Sequence, residues 1–412
     1  MEEKKTSNAL NTVKAVLKSN TMLFVLVGVM VLFEVLIRAS GHGSLFAPAN
    51  VTNIIRQNAY VAILATGMLL CILTGGNIDL SVGSVVALIG ALAGVFIVNW
   101  GWPIWLAVLA CLILGTAIGA FHGFFIAYIH IPPFITTLAG MLLWRGVATI
   151  VLDGRPIAPF PEKYLKLFES YLPATSDKMG EFELFGSWVD KYTLIVTLIV
   201  TAIAILAYVA LEIISRRNKI KKNYTVQSTT SFIAKLVVLS VVIVIIGQFL
   251  ARDRGLPVVL ILLGVIIAAY SYFTQNTVPG RYLYAIGGNE KAARLSGVNT
   301  NNVMFFAYTN MGFIAAVAAL VTIARMNSAQ PTAGQNYEMD AIASCFIGGA
   351  SAYGGTGTVG GAVVGAIFMG VLNNGMSILG VDMNWQRAVK GMVLLAAVIF
   401  DVMSKRKKAA KK

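Results

Sequence analysis

The fold class this sequence predicts is all-α: a polytopic helical membrane protein of about 12 transmembrane helices, some of them short or broken. Three observations predict it. The 412 residues are 57% hydrophobic and only 12% charged, about half the roughly 25% charged share of soluble domains. Apolar runs of about 20 residues recur along almost the whole chain, and that length of helix matches the hydrocarbon core of a bilayer. Segments such as 236–246 and 256–269 lack the polar stripe of a helix that faces water on one side.

Taken in order, each run has its own signature. Segment 1–20 is too long and too mixed in charge for a signal n-region, and nothing suited to cleavage follows Ile37, so 22–37 reads as a retained first span. Runs 57–74 and 82–99 flank the polar stretch GGNIDLSVGS, where paired glycines let the chain turn at membrane depth. Run 104–129 stacks Gly115, Gly119 and Gly123 on one helix face, so that a neighbouring backbone can approach closely. Run 134–152 encloses Arg145, which needs an acidic or carbonyl partner. Runs 192–214 and 232–250 bracket the basic stretch RRNKIKKN, and runs 256–274 and 303–324 bracket a polar connector. Run 341–353 is short and interrupted by glycine, the mark of a broken helix beside a pathway. It must cross, or a compensating half-span must exist. Run 357–380 repeats the small-residue device at Gly361 and Gly365, and 387–403 precedes a basic tail.

A weak echo links CILTGGNIDLSVGSVVALIGALAG to CFIGGASAYGGTGTVGGAVVGAIFMG: each has Cys, paired Gly, a short polar link and a small-residue apolar helix. Coincidence and two related broken helices on one pathway both fit this echo.

Charge sets the orientation. Segments 1–20, 216–235, 281–294 and 405–412 hold 19 of the 32 lysines and arginines, which places them in the cytoplasm by the positive-inside rule. Loop 153–190 carries seven acids against four bases and reads as external. Twelve crossings satisfy both assignments with both termini cytoplasmic. The expected organisation is a cytoplasmic segment 1–20, a membrane domain 21–404 and a basic cytoplasmic tail 405–412. The membrane domain contains the external loop 153–190, a basic cytoplasmic loop 215–231 and a cytoplasmic connector 276–302.

Several function classes are excluded. The net charge of +14 lies in blocks beside apolar runs, so it predicts contact with anionic membrane lipid and no nucleic acid. Cys71, Cys111 and Cys345 sit inside apolar runs without metal-ligand spacing, and His42, His122 and His130 are scattered, so no metal site is expected. Gly355, Gly357 and Gly360 match G-x-G-x-x-G, but no strand precedes them and no βαβ unit surrounds them. There is no Walker A motif, catalytic triad, H-E-x-x-H or paired-carboxylate constellation. No catalytic residue is assigned, and the chain reads as a protein that is not an enzyme. An ion-coupled carrier needs an acid or histidine relay at the midplane. Of Glu34, Asp79, His122, Arg145, Glu212 and Arg325, only Asp79 is an acid beside a glycine break, so energy is expected from a partner.

Two stretches are candidate sites. In the break, Asn77, Asp79, Ser81 and Ser84 could offer hydrogen bonds to a neutral cargo, or Asp79 and Ser81 could cap the helix that begins near Val82. In GRYLYAIGGNEKAARLSGVNTNN, Asn289 can cap a helix of about two turns, with Glu290 at its positive end and Gly297 closing it. So short a helix needs packing to persist; Ala292 and Ala293 permit close contact, flanked by Lys291 and Arg294.

GGNIDLSVGS, AIGGNEKAARLSGVN, DAIASCFIGGASAYGGTGTVGGAVVGA, NNGMSILGV and WQRAVKGMVLLAAV together resemble the monosaccharide permease subunits of ATP-binding-cassette importers, over about residues 50–404. PFITTLAGMLLWRG, GRPIAPFP and the membrane pair around RRNKIKKN resemble the xylose and multiple-monosaccharide branch. The resemblance implies a homodimeric pathway, cytoplasmic ATPase subunits that hold ATP and Mg, and a periplasmic or lipid-anchored sugar-binding protein. It implies a multi-pass protein of the bacterial inner membrane that binds no cofactor itself. Gly287, Gly288, Asn289, Glu290, Ala292, Ala293, Arg294, Ser296 and Gly297 occupy the family's ATPase-coupling pattern. A stand-alone ion-coupled transporter and a passive channel subunit are the competing readings.

Overall fold

The computed structural model describes residues 21–173, 181–184, 187–221 and 229–409. Segment 1–20, expected to be cytoplasmic, part of the acidic loop (174–180 and 185–186), part of the basic loop (222–228) and the last three residues of the tail lie outside the described residues. The first helices are α1 (Thr21–Ala39), α2 (Pro48–Gln57), α3 (Ala59–Leu73), α4 (Val82–Gly94, continued by a π-helical turn, Val95–Asn99), α5 (Ile104–Ala127), α6 (Pro133–Val151) and α7 (Glu162–Glu169). They are followed by α8 (Lys191–Lys221), α9 (Thr229–Ala251), α10 (Val258–Asn276), α11 (Val278–Gly288), α12 (Glu290–Leu295), α13 (Thr300–Met326), α14 (Tyr337–Ile347), α15 (Val359–Ile378) and α16 (Met383–Ala409). Two small antiparallel pairs complete the fold, β1 (Tyr171–Leu172) with β4 (Leu256–Pro257), and β2 (Glu181–Leu184) with β3 (Ser187–Asp190).

All twelve apolar runs fall on helices. Among the described residues eight helices are long and apolar enough to span a bilayer, and the pair α2 and α3, bent by 40°, makes a ninth. The other three explain the short members expected. In α9 the apolar part is Leu236–Ala251, and α16 carries Arg387, Lys390 and Asp401. Helix α14 has 11 residues, about 16 Å of helix or half a bilayer. Run 341–353 is therefore a half-span, with an irregular connector from Gly348 onward.

Helix α13 runs through the middle, buried for most of its length, against α3, α4 and α5. Glycines explain the closeness. A methyl on Gly115 or Gly119 would strike the α13 backbone, and one on Gly312 would strike α5. Gly365 meets the Ser344 carbonyl in the same way, which seats α15 on α14. Between helices in lipid the attraction comes from such close packing, since lipid tails are as apolar as the side chains. The three cysteines are buried and free.

The acidic loop is tied down where it is described. Tyr164 of α7 is fully buried and its hydroxyl donates to Leu320 O at 2.8 Å. Arg56 of α2 pairs with Glu169 and donates to the Tyr171 hydroxyl at 2.6 Å. At the end of α1, Glu34 accepts from Arg38 at 2.5 Å, from Ser44 Oγ and from Leu45 N, and so fixes the turn into α2.

Candidate functional site

Two interrupted helices meet at one place in the bundle. Helix α3 stops at Leu73, residues 75–81 run without regular structure, and α4 starts at Val82; likewise α14 stops at Ile347 and α15 starts at Val359. The sequence echo thus corresponds to two helix-break-helix units in contact. Gly355 N donates to Leu73 O at 3.0 Å. Gly76 has φ +78°, where only glycine is unstrained, and a side chain there would strike the Ala352 carbonyl. Irregular backbone is admissible at membrane depth only in protein or beside water; here the two breaks pack on each other, with Asp79 and Ser81 buried and Gly75 and Tyr353 exposed.

The first break is held by a chain of side-chain hydrogen bonds. Trp144 Nε1 of α6 donates to His122 Nε2 of α5 at 2.9 Å. Indole has only a proton to give, so Nε2 is the unprotonated nitrogen and Nδ1 carries the hydrogen of a neutral ring. His122 Nδ1 lies 3.3 Å from Ser81 Oγ, which in turn donates to Asp79 Oδ1 at 2.6 Å. The same carboxylate oxygen accepts from Ser81 N at 2.8 Å. Although Ser, His and Asp occur together, the serine proton is directed to the aspartate and the group is buried, so the arrangement is a strut with no activated nucleophile.

This placement separates the four candidate pathway residues. Asp79 and Ser81 are committed to the strut. Ser81 sits at the N-cap of α4 without a side-chain cap hydrogen bond, so the expected capping by its hydroxyl is corrected: that hydroxyl serves Asp79 instead. Asn77 is half-buried and donates back to Thr74 O and Thr74 Oγ1, both at 3.3 Å. Ser84 alone lines an open space, together with Met141, Leu142, Arg145, Gln335, Asn336, Glu338 and Arg387.

Arg145 finds carbonyl partners, Pro331 O at 3.0 Å and Ala333 O at 2.5 Å. They belong to connector 327–336, which descends along α4: Ala329 lies against Gly94 and Gly334 against Gly83. Those two glycines are about three turns apart, so Arg145 satisfies backbone carbonyls of a connector that runs along a candidate membrane helix. Two buried acids escape a reading of the apolar runs because they precede residue 341. The Glu338 carboxylate lies over Gly83. Asp340 pairs with Lys390 of α16 at 3.0 Å and accepts from the Tyr60 hydroxyl at 2.7 Å; Tyr60 also stacks on Tyr337 with centroids 3.6 Å apart. An acid in the first turn of a half-span was the available signal.

The connector between α10 and α13 forms the other candidate site. Asn289 accepts from Ala292 N at 3.0 Å and caps the six-residue helix α12, whose first turn carries Glu290. Gly297 follows with φ +86°. Ala293 is buried against the protein, while Gly288, Asn289, Glu290, Lys291, Ala292, Arg294 and Ser296 are exposed. Of the two small residues expected to permit close contact, Ala293 packs against the protein and Ala292 is on the exposed side. Leu295, which the motif reading passed over, is 90% exposed; a lone leucine in a polar helix was its only signal. Helix α11 joins this tip to both breaks. Tyr284 Oη donates to Gly357 O at 3.0 Å, and a side chain on Gly287 would strike both the Leu73 carbonyl and the Gly355 backbone.

Comparison with known proteins places this architecture. Residues 50–162 and 186–398 match a family profile described as branched-chain amino acid transport system / permease component; the unmatched stretch between them lies in the acidic loop. The xylose transport system permease protein XylH of Escherichia coli (strain K12) is 35% identical over 389 residues, covering 94% of this chain and 93% of that protein. XylH of Haemophilus influenzae is 34% identical over 386 residues, with 94% and 96% covered. The ribose import permease protein RbsC of Escherichia coli (strain K12) is 35% identical over 356 residues, with 86% of each chain covered. No solved structure gives a significant match.

Proposed function

Since the chain belongs to the permease-component family of branched-chain amino acid transport systems, we propose that it is the membrane-spanning subunit of an ATP-binding-cassette importer that moves a monosaccharide, xylose or a related sugar, into the bacterial cytoplasm. The relatives that support this cargo are named for xylose transport and ribose import. In this reading both termini and α12 face the cytoplasm, and the acidic loop faces outward toward a sugar-binding protein. Two copies of the chain form the path. ATP and Mg belong to the ATPase subunits, and the permease binds no cofactor itself.

One observation carries the mechanism: α12 offers an exposed leucine at its tip while the helix before it is wedged between the two breaks. The residues from Gly287 to Gly297 form the grip of the ATPase, with Leu295 as an apolar anchor. Closure of the ATPase pair on ATP displaces α12; α11, seated on the end of α3 at Gly287, transmits that displacement through Tyr284 to the second break and the start of α15, and thereby shifts the bundle between its two openings. The hydrogen-bonded first break resists deformation and acts as the fixed side of the gate.

The test is co-purification with the cognate ATPase subunits and uptake of radiolabelled D-xylose. Leu295→Asp, Glu290→Arg and Gly288→Trp are expected to leave membrane insertion intact and to reduce both readouts about tenfold or more, the equivalent of at least ~1.4 kcal/mol of binding. Normal ATPase retention in all three variants would refute the coupling assignment. Uptake driven by an ion gradient without ATPase would favour a secondary transporter.

A further inference from the structure

We propose that the cavity between α4, α6, α14 and α16 is a hydroxyl-recognising subsite on the cargo route, in which Ser84, Glu338, Arg145, Gln335 and Asn336 hold a monosaccharide during its passage. This inference rests on the importer reading and adds a place in the chain where sugar is bound.

The cavity measures about 270 Å³, against about 30 Å³ for each water in the liquid, so it accommodates a small polar molecule with some of its water. Its floor is buried, at Ser84 and Glu338, and its rim, with Leu142, Gln335 and Arg387, is exposed. Ser84 is in the first turn of α4, and the helical run continues to Asn99, about 22 Å further along the axis.

Its chemistry is unfinished. Ser84 is 1% exposed and its Oγ has no hydrogen-bond partner, a state that buried hydroxyls seldom keep. Glu338 is 8% exposed, and among the described residues no other side chain donates a hydrogen bond to its carboxylate. The hydrogen bonds of Arg145 leave from Nη1 alone, so Nε and Nη2 retain donors. A carboxylate acceptor, a hydroxyl, two amides and guanidinium donors in one space fit a ligand that both gives and takes hydrogen bonds at several adjacent atoms. A cation is opposed by Arg145 and Arg387 and an apolar molecule by the orphan groups, while the Glu338 carboxylate needs a hydrogen-bond donor, which a hydroxyl supplies and a fully ionised anion does not. A neutral polyhydroxy compound satisfies all of them. Gly83 adds a geometric requirement: any side chain there would occupy the position of the Glu338 carboxylate.

Two experiments on the complete transporter in membranes test the subsite. In a Gln335→Cys chain, labelling by a small methanethiosulfonate is expected to slow at least about threefold in millimolar D-xylose or D-ribose and to be indifferent to sulfate; Gln335 is exposed at the rim of the cavity, whereas the native cysteines are buried and contribute little. In uptake assays, Glu338→Ala is expected to lower the transport rate at saturating sugar about tenfold, the weight of one charge-assisted hydrogen bond, with Glu338→Gln retaining part of it. Co-purification with the ATPase identifies a folded variant. Protection by sulfate without protection by sugar would overturn the proposal, as would unprotected labelling in every condition or wild-type uptake by both Glu338 variants. If the wild-type complex itself takes up no monosaccharide, the importer reading fails, and that result is visible without any variant.

Discussion

The two helix breaks share one plan and differ in how they are held. In the first, four side chains from three parts of the chain, Trp144, His122, Ser81 and Asp79, form a continuous line of hydrogen bonds. In the second, each of these contacts engages a backbone group of the break, and in none of them is a side chain bonded to another: Gly355 N on Leu73 O, the Tyr284 hydroxyl on Gly357 O, and Ala352 N donating to Asp401 Oδ2 at 3.2 Å. A buried polar network is stiff because each lost bond strands its neighbours. Backbone contacts between glycines are close but can slide. One break therefore serves as a strut and the other as the part that α11 can move.

The largest effect should come from the point where both breaks and α11 touch. Gly287→Val would drive a side chain into the Leu73 carbonyl and the Gly355 backbone, and neither can turn away as a side chain could. Overpacking against fixed atoms costs about 3 kcal/mol or more. The expected outcome is loss of the monodisperse folded chain in detergent and of all uptake. The adjacent Gly288 has open space around it, so Gly288→Val should leave the folded yield unchanged. Equal yields for both variants would mean that α11 is not wedged as described.

The next effect separates strut from slider. His122→Ala removes the acceptor of Trp144 and the donor to Ser81, leaving buried polar groups unpaired at about 2–4 kcal/mol in total. Asp401→Ala removes one half-buried partner of the second break and should cost about 1 kcal/mol. Thermal unfolding of the detergent-solubilised chain should rank them in that order. The reverse order would exchange the roles of the two breaks.

Much of this was legible in the residues. Apolar run length marked the twelve apolar helices, and glycine spacing marked the face of α5 that a neighbouring backbone approaches without saying which neighbour, because both follow from local geometry. GGNIDLSVGS announced a break, and Asn289 announced its cap. The strut was not legible: His122 and Trp144 are 22 residues apart and 41 or more from Ser81, and only the tertiary packing of α5 and α6 brings them to Asp79. Glu338 and Asp340 were hidden for another reason. Their half-span is so short that its polar first turn falls outside the apolar run used to define it. Leu295 was hidden by its context, since a single apolar residue in a connector is ordinary until its exposure is known.

The smallest effect belongs to the tip. Asn289→Ala removes the side chain that accepts from Ala292 N, and loss of such a cap costs about 1 kcal/mol. Because α12 has only six residues and cannot persist by itself, that loss should appear as local opening with no change in global unfolding. Amide exchange at Ala292 should quicken about fivefold, the Boltzmann equivalent of ~1 kcal/mol. Asn289→Asp should restore protection, since a carboxylate oxygen accepts the same bond and also faces the positive helix end. If exchange is unchanged in the alanine variant, Ala293 packing alone holds α12, and the grip on the ATPase depends on the buried side of the helix and little on its cap.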